Sequence, residues 1–133
     1  MRKALFRCAV AALAALSGCE TTLPGAPSDL TTGIVVYEHA NYLGESAHIT
    51  TDIKDLKDFD RGPCKTEDAS NWSDCISSVR VALGTVATLY RDENFKGESL
   101  EVGVDIPNLQ LEKGSCSHDG LNDCVTSIRI GRP

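Results

Sequence analysis

The chain has few aromatic residues and few basic ones, and both shortages limit what it can be. Aromatic side chains make up 5% of the 133 residues. The chain carries 13 basic against 19 acidic residues, and three of the basic ones (Arg2, Lys3, Arg7) lie near the start, which leaves 10 against 19. A nucleic-acid-binding surface needs a basic footprint, so this balance argues against a nucleic-acid partner and is compatible with attracting cations.

The arrangements of residues that are typical of enzymes are also missing. The histidines, His39, His48 and His118, have no Ser/His/Asp or Cys/His order around them. The cysteines have no CxxC spacing and no nearby pair of histidines, which argues against a zinc site. We therefore expect a non-enzymatic protein.

The start of the chain has the features of an export signal. A charged beginning, Met1-Arg2-Lys3, is followed by an apolar run from Ala9 to Leu16 that is too short to span a bilayer. The next residues, Leu16-Ser17-Gly18-Cys19, resemble the lipobox of bacterial lipoproteins. This resemblance implies a signal peptide over residues 1–18, cleavage before Cys19 and lipidation of its thiol, which would anchor the protein to a membrane.

A polar segment separates this anchor from the rest of the chain. Residues 20–32 are rich in Pro, Ser, Thr and Gly and have no apolar periodicity, so we interpret residues 19–32 as the lipidated cysteine and a flexible tether. The predicted location is the cell envelope. Glu20, rather than Asp, follows the lipidated position, and by resemblance to enterobacterial sorting this favours the outer membrane over the inner membrane.

The remaining hundred or so residues contain an internal repeat. The segment from Tyr37 to Ser46 recurs 53 residues later from Tyr90 to Ser99, with the tyrosine, asparagine, glycine, glutamate and serine at the same positions. A second block, Asp74 to Val81, recurs 49 residues later from Asp123 to Ile130. The chain is therefore expected to hold two copies of one module, at about residues 33–83 and 84–132.

Each copy has the pattern of short antiparallel strands. Val, Ile and Leu occur in short alternating stretches such as Ile34–Tyr37 and Ala87–Tyr90, which favour strands over helices. A hairpin tip then leads to Gly44 or Gly97, where glycine suits a positive φ, and Ala47–Ile49 or Leu100–Val102 should start the next strand. We predict an all-β sandwich of two four-stranded Greek-key motifs.

The residues of the repeat also resemble a known family. The pattern Y-x-x-x-x-(Y/F)-x-G-x-S stands at Tyr37 and again at Tyr90, and it is the hairpin motif of the βγ-crystallins. The second block resembles that family's calcium motif of two Asn/Asp residues, two variable residues, Ser/Thr and Ser. Residues 122–127 match it throughout, whereas residues 73–78 depart at the first position, where Ser73 stands. The resemblance covers residues 33–132.

The resemblance implies two calcium ions at one end of the domain, each bound by both modules. Calcium takes six to eight oxygen ligands, including carbonyls, hydroxyls and carboxylates. The implied carbonyl donors are Glu38, Arg91, Cys75 and Cys124, and the implied side-chain donors are Asp74, Ser77, Asp123 and Thr126, supported by Asn122 and Ser73. The division of these ligands between the two ions is left open, and the motif with Ser73 is expected to be the weaker one.

Four of the six cysteines remain after the signal peptide and the lipid anchor are set aside. An even number in an exported domain favours disulfides, and three pairings are possible. We predict Cys64 with Cys75 and Cys116 with Cys124, because this pairing gives each module one short bridge.

Two other functions remain open alongside calcium binding. One metalloprotease-inhibitor family shares the crystallin fold, but it usually carries a cysteine just before the hairpin tyrosine, where this chain has Val36 and Leu89. An ion-free structural protein of the envelope is the third interpretation. The protein partner is not identified by the sequence.

Overall fold

The computed structural model describes residues 30–59, 61–65, 70–112 and 120–131. Within them the chain forms strands and single-turn 3₁₀ helices but no α-helix, which confirms the predicted all-β class. The strands are β1 (Ile34–His39), β2 (Leu43–Ile49), β3 (Cys64–Lys65), β4 (Ser70–Asn71), β5 (Ser78–Val81), β6 (Val86–Asp92), β7 (Lys96–Val102) and β8 (Ser127–Gly131). Over these ranges no helix has the length and apolar character needed to cross a membrane. The predicted lipidation site, Cys19, lies outside the described residues.

Two three-stranded antiparallel sheets carry the repeat. The first has the order β2-β1-β5 and the second the order β7-β6-β8, while β3 and β4 form a separate two-stranded ribbon. Val36 pairs with Ala47 on one side and Val79 on the other. Its counterpart Leu89 pairs with Leu100 and Ile128. The two sheets therefore have the same register, as expected for two copies of one module.

A fourth position in each sheet is filled by the other module. Ile53, from module one, exchanges two backbone hydrogen bonds with Ile128 of β8, at N–O distances of 2.8 and 2.9 Å. Ile106, from module two, does the same with Val79 of β5, at 2.8 and 2.9 Å. The third strand of each Greek key is thus a single β-bridge, and it pairs with the sheet of the other module. The two modules are linked by backbone pairing as well as by the core.

The core lies between the two sheets and continues under the loops. Residues at equivalent positions of the two modules fill it in pairs: Ile53 with Ile106, Leu56 with Leu109, Trp72 with Leu121, and Ile76 with Val125. Most of these side chains are fully buried. Because both modules contribute to one cluster, neither has a core of its own.

Each hairpin tip is held in a strained conformation by contacts on both sides. Tyr42 and Phe95 have φ of 62° and 61°, which is costly for a bulky side chain. The Tyr42 ring packs edge-on to Tyr37, at 5.6 Å between centroids, and the Arg80 guanidinium lies 4.3 Å above it. Burial raises the pKa of Tyr37 and of Tyr42. The predicted positive φ of the hairpin glycines is also present, at 80° for Gly44.

The strand bounds differ from the expectation in two respects. Ala47–Ile49 and Leu100–Val102 end β2 and β7 instead of starting them, because these strands begin at the hairpin tip itself. The sequence predicts the final strands over Ile76–Ala82 and Val125–Gly131, but they begin two residues later, at Ser78 and Ser127, because the residues just before them form a loop between the two modules.

Candidate metal centre

The loop before each final strand is anchored on the other module. Asp74 and Asp123 have left-handed backbones, with φ of 57° and 52°, a conformation that Asp tolerates better than most residues. The amide of Asp74 donates to the carbonyl of Val125 at 3.0 Å, and the amide of Asp123 donates to that of Ile76 at 3.2 Å. The two motifs therefore lie side by side, and each exposed carboxylate points across the junction between modules.

The side chains of the two motifs meet in two cross-module pairs. The Thr126 hydroxyl lies 3.4 Å from Asp74 Oδ1, and we call this pair site A. The Ser77 hydroxyl lies 3.3 Å from Asp123 Oδ1, and we call this pair site B. Each site thus takes its carboxylate from one module and its hydroxyl from the other.

The strand register places the residues with the implied carbonyl donors next to each pair along the chain. The Ser77 amide donates to the Tyr37 carbonyl and the Thr126 amide to the Tyr90 carbonyl, both at 2.9 Å. Glu38 and Arg91 are the next residues along these strands, and Cys75 and Cys124 directly follow the two aspartates. The ligand set that the resemblance implies would therefore divide into Asp74, Cys75, Arg91 and Thr126 at site A and Asp123, Cys124, Glu38 and Ser77 at site B.

The oxygen separations fit a calcium ion. Calcium binds oxygen at about 2.3 to 2.6 Å, so two ligands at right angles around the ion lie about 3.3 to 3.7 Å apart. The hydroxyl and carboxylate oxygens of sites A and B are 3.4 and 3.3 Å apart. In the part of the chain that the structure describes, no three His, Cys, Asp or Glu side chains converge on one point. A calcium ion at either site would therefore need carbonyl and hydroxyl oxygens beside the single carboxylate, which is a hard donor set.

The first residue of each motif orients the aspartate that follows it. The Ser73 hydroxyl donates to Asp74 Oδ2 at 3.1 Å and lies 3.5 Å from the Thr126 hydroxyl. In the second motif, Asn122 Nδ2 donates to Asp123 Oδ2 at 2.6 Å. Serine and asparagine thus make the same kind of contact, because each donates a hydrogen bond to the carboxylate of the aspartate that follows it.

The side chains of Glu38 and Arg91 point into the hairpins. Glu38 Oε2 accepts a hydrogen bond from the Glu45 amide at 3.2 Å. Arg91 Nε donates to Asp92 Oδ1 at 3.1 Å, and this hydrogen bond lowers the pKa of the Asp92 carboxyl. The same contact raises the pKa of Arg91.

Sequence reasoning gave no role to the last serine of each motif. The Ser78 hydroxyl donates to the His39 carbonyl at 2.6 Å and accepts from the Tyr42 amide at 3.0 Å. Ser127 makes the same two contacts with Asp92 and Phe95, at 2.6 and 3.0 Å. These serines join the metal motif to the hairpin. Their recurrence in both blocks was the available signal.

A disulfide joins Cys64 to Cys75, the first of the two predicted pairs, with Cα atoms 5.8 Å apart. Cys124 is also disulfide-bonded. Cys116, its predicted partner, lies outside the described residues. The third position of both motifs is therefore cross-linked to another part of the chain.

A family comparison matches the first module and the hairpin of the second. The model of peptidase inhibitor family I36 aligns with residues 34–102, which is 69 of the 133 residues. The match contains β1 and β2, the Cys64–Cys75 disulfide and the first calcium-type motif, and it ends with β7.

Solved structures and curated proteins give the same fold. A βγ-crystallin domain from Flavobacterium johnsoniae is 31% identical, with a TM-score of 0.56 over 74% of this chain and 93% of that domain. Spherulin-3A from Physarum polycephalum is 27% identical over 73% of this chain and 80% of its own length. An epidermal differentiation-specific protein from Cynops pyrrhogaster is 31% identical, but the chain spans 23% of its length. This chain therefore belongs to the βγ-crystallin domains and, by a match over half of its length, to the peptidase inhibitor family I36.

Proposed function

We propose that this chain is a non-enzymatic calcium-binding domain with two sites, A and B. The observation that carries the proposal is the pair of cross-module contacts, Asp74 with Thr126 and Asp123 with Ser77, at 3.4 and 3.3 Å. The four residues come from parts of the chain about fifty positions apart. Their convergence in two equivalent pairs is what two ions shared between modules would require.

The donor set also sets the expected strength of binding. Each site brings one carboxylate and several neutral oxygens, so a bound Ca²⁺ keeps part of its charge uncompensated. Calcium affinity rises with the number of charged ligands and with site rigidity, and extracellular modules bind in the range of about 10⁻⁴ to 10⁻³ M. We expect Kd values on the order of 10⁻⁵ to 10⁻³ M, suited to an environment with millimolar calcium.

We further propose that the domain is displayed on the cell envelope by a lipid on Cys19. The predicted tether ends at residue 32, just before β1 begins at Ile34, whereas Glu38 of site B lies near the other end of that strand. The four residue steps from Ile34 to Glu38 span about 13 Å. Site B would then lie toward the end of the sandwich opposite the tether.

Thermal stability with and without calcium tests the calcium proposal. An ion at a hundredfold excess over its Kd stabilises the folded state by about 2.7 kcal/mol. Calcium should raise the melting temperature of the full-length chain, and the Asp74→Asn/Asp123→Asn double variant should lose the rise. Glu101→Gln, an exposed change on β7, is the matched control and should keep it. An equal rise in the double variant would refute the proposal.

Peptidase inhibition is the second candidate, favoured by the family match over residues 34–102. The half-buried β3–β4 ribbon beside the Cys64–Cys75 disulfide belongs to the matched part. Val36 and Leu89, where a cysteine would be expected before each hairpin tyrosine, still separate this chain from the inhibitors that it resembles. Peptidase inhibition and calcium binding do not exclude each other in one domain.

A panel of metallopeptidases, assayed with the full-length chain, tests this second candidate. Inhibition at stoichiometric concentration, with the chain recovered intact, is the result expected of an inhibitor. Cleavage of the chain, or full peptidase activity at a tenfold excess of the chain, would leave calcium binding as the function.

A further inference from the structure

We infer that the Cys64–Cys75 disulfide positions site A, so that its redox state and calcium binding at this site are thermodynamically linked; the inference rests on the proposed calcium function. Cys75 directly follows Asp74, and its carbonyl belongs to the donor set of site A. Its side chain is cross-linked to Cys64 at the end of the β3–β4 ribbon. The disulfide is thus part of the segment that supplies two of the oxygens.

The disulfide also touches the strained part of the site. The Cys64 sulfur lies 3.8 Å from the carbonyl oxygen of Asp74, whose backbone has a φ of 57°. On the other side, the Asp74 amide is held by Val125 of module two. The peptide between Asp74 and Cys75 is therefore fixed between the partner module and the cross-link. Without the cross-link, one of its two restraints is gone.

The same cross-linked position recurs in the second motif. Cys124 holds the third position of that motif, next to Asp123, and it too is disulfide-bonded. A cross-link that is present at this position in both modules is tied to the motif.

The redox step is an ordinary thiol–disulfide exchange with a dithiol. Cys64 is half-buried and Cys75 is buried, so the thiolate of the reductant attacks the Cys64 sulfur, and Cys75 leaves as a thiolate that takes up a proton. The second thiol of the reductant then displaces Cys64. The protein gains two electrons and two protons as two thiols, and the dithiol becomes a disulfide.

Linkage requires the effect to be reciprocal. Loss of a partner that orients a metal ligand typically costs 10- to 100-fold in affinity, and we expect about tenfold here because Trp72 and Ile76 still anchor the loop in the core. Saturating calcium should then shift the midpoint potential of the disulfide by about −30 mV, since tenfold corresponds to 29.6 mV for a two-electron couple.

Two measurements on the full-length chain, with calcium alone as ligand, test the inference. In a calorimetric titration, Cys64→Ser/Cys75→Ser should weaken one of two binding events about tenfold and leave the other within twofold. In a dithiol redox titration with thiol labelling of Cys64 and Cys75, calcium should make the wild-type disulfide harder to reduce. Asp74→Asn should abolish that shift, and Asp123→Asn, the matched control, should keep it.

The outcomes separate the inference from the proposed function. If the oxidised wild-type chain binds no calcium, both are wrong. If it binds two ions but neither the double serine variant nor the redox titration shows linkage at site A, the inference alone is wrong. The redox titration needs no variant that lacks the disulfide, so a folding failure of the double serine chain does not decide the question.

Discussion

The two modules are alike at their hairpins and calcium motifs and unlike in the loops between them. Both hairpin tips carry an aromatic residue at positive φ, clamped by a serine of the motif. Between these features, Trp72 of module one stands where module two has Leu121, and Leu109 lies in a 3₁₀ turn whereas its counterpart Leu56 does not. The backbone contacts between modules are nevertheless equivalent, because the Leu56 amide donates to the Thr126 carbonyl and the Leu109 amide donates to the Ser77 carbonyl. The backbone contacts between modules are thus kept while the core side chains beneath the loops differ.

This comparison predicts the largest difference in stability at the paired core positions. Trp72→Ala should cost about 4 kcal/mol and Leu121→Ala about 3 kcal/mol, because the indole leaves the larger cavity. Urea unfolding of both variants measures the difference. If Leu121→Ala proves the more destabilising, the residues around Trp72 relax into the cavity more than the residues around Leu121 do.

The two serines that hydrogen-bond the hairpin tips, Ser78 and Ser127, should instead contribute equally to stability. Ser78→Ala and Ser127→Ala each leave a carbonyl and a strained amide of a part-buried contact without their partner, and each should cost about 1 to 3 kcal/mol. Ser99→Ala, an exposed change on β7, should stay within about 0.5 kcal/mol. A clear inequality between the two clamps in chemical unfolding would break the equivalence of the hairpins.

The cross-module division of donors can be tested with double-mutant cycles on calcium affinity. Asp74→Asn and Thr126→Ala should each weaken the same binding event, by on the order of tenfold or about 1.4 kcal/mol, and their effects should not add. Asp74→Asn with Ser77→Ala should weaken both events independently. Coupling between Asp74 and Ser77 would show that each site is built within one module.

Substitution of Ser73, the residue that departs from the calcium motif, by asparagine should have the smallest effect on calcium affinity. Because the seryl hydroxyl already donates to Asp74, as Asn122 does to Asp123, Ser73→Asn should change the affinity of site A by less than about threefold. Ser73→Ala, which removes the donor, should weaken site A more than Ser73→Asn does. The expectation of a weak first motif, made from the sequence, would regain support if Ser73→Asn strengthened binding tenfold.

Much of the fold was predictable because the repeat is local in sequence. The hairpin pattern at Tyr37 and Tyr90, with its glycine at positive φ, identifies the strands on either side. The all-β class and the crystallin-type sandwich followed from it and are confirmed. The predicted starts of the final strands were wrong by two residues, because Ile76 and Val125 are apolar like strand residues although they lie in the loops before Ser78 and Ser127.

The contacts between modules could not be predicted in the same way. Ile53 and Ile106 each form a single bridge to the opposite sheet, and a one-residue strand leaves no alternation in the sequence. The pairing of Asp74 with Thr126 joins residues 52 positions apart, so only the three-dimensional arrangement divides the donors between sites. The residue types that form the two cross-module pairs were readable from the motif, whereas their grouping into pairs depended on the packing of the two modules.

Calorimetric titration of calcium into the oxidised full-length chain tests the central claim most directly. Two binding events with Kd values on the order of 10⁻⁵ to 10⁻³ M are predicted, one lost in Asp74→Asn and the other in Asp123→Asn. The absence of binding heat up to 10 mM calcium (roughly ten times the weakest Kd in that range), together with an unchanged melting temperature, would contradict the claim and leave a crystallin-type domain whose paired oxygens serve only to join its two modules.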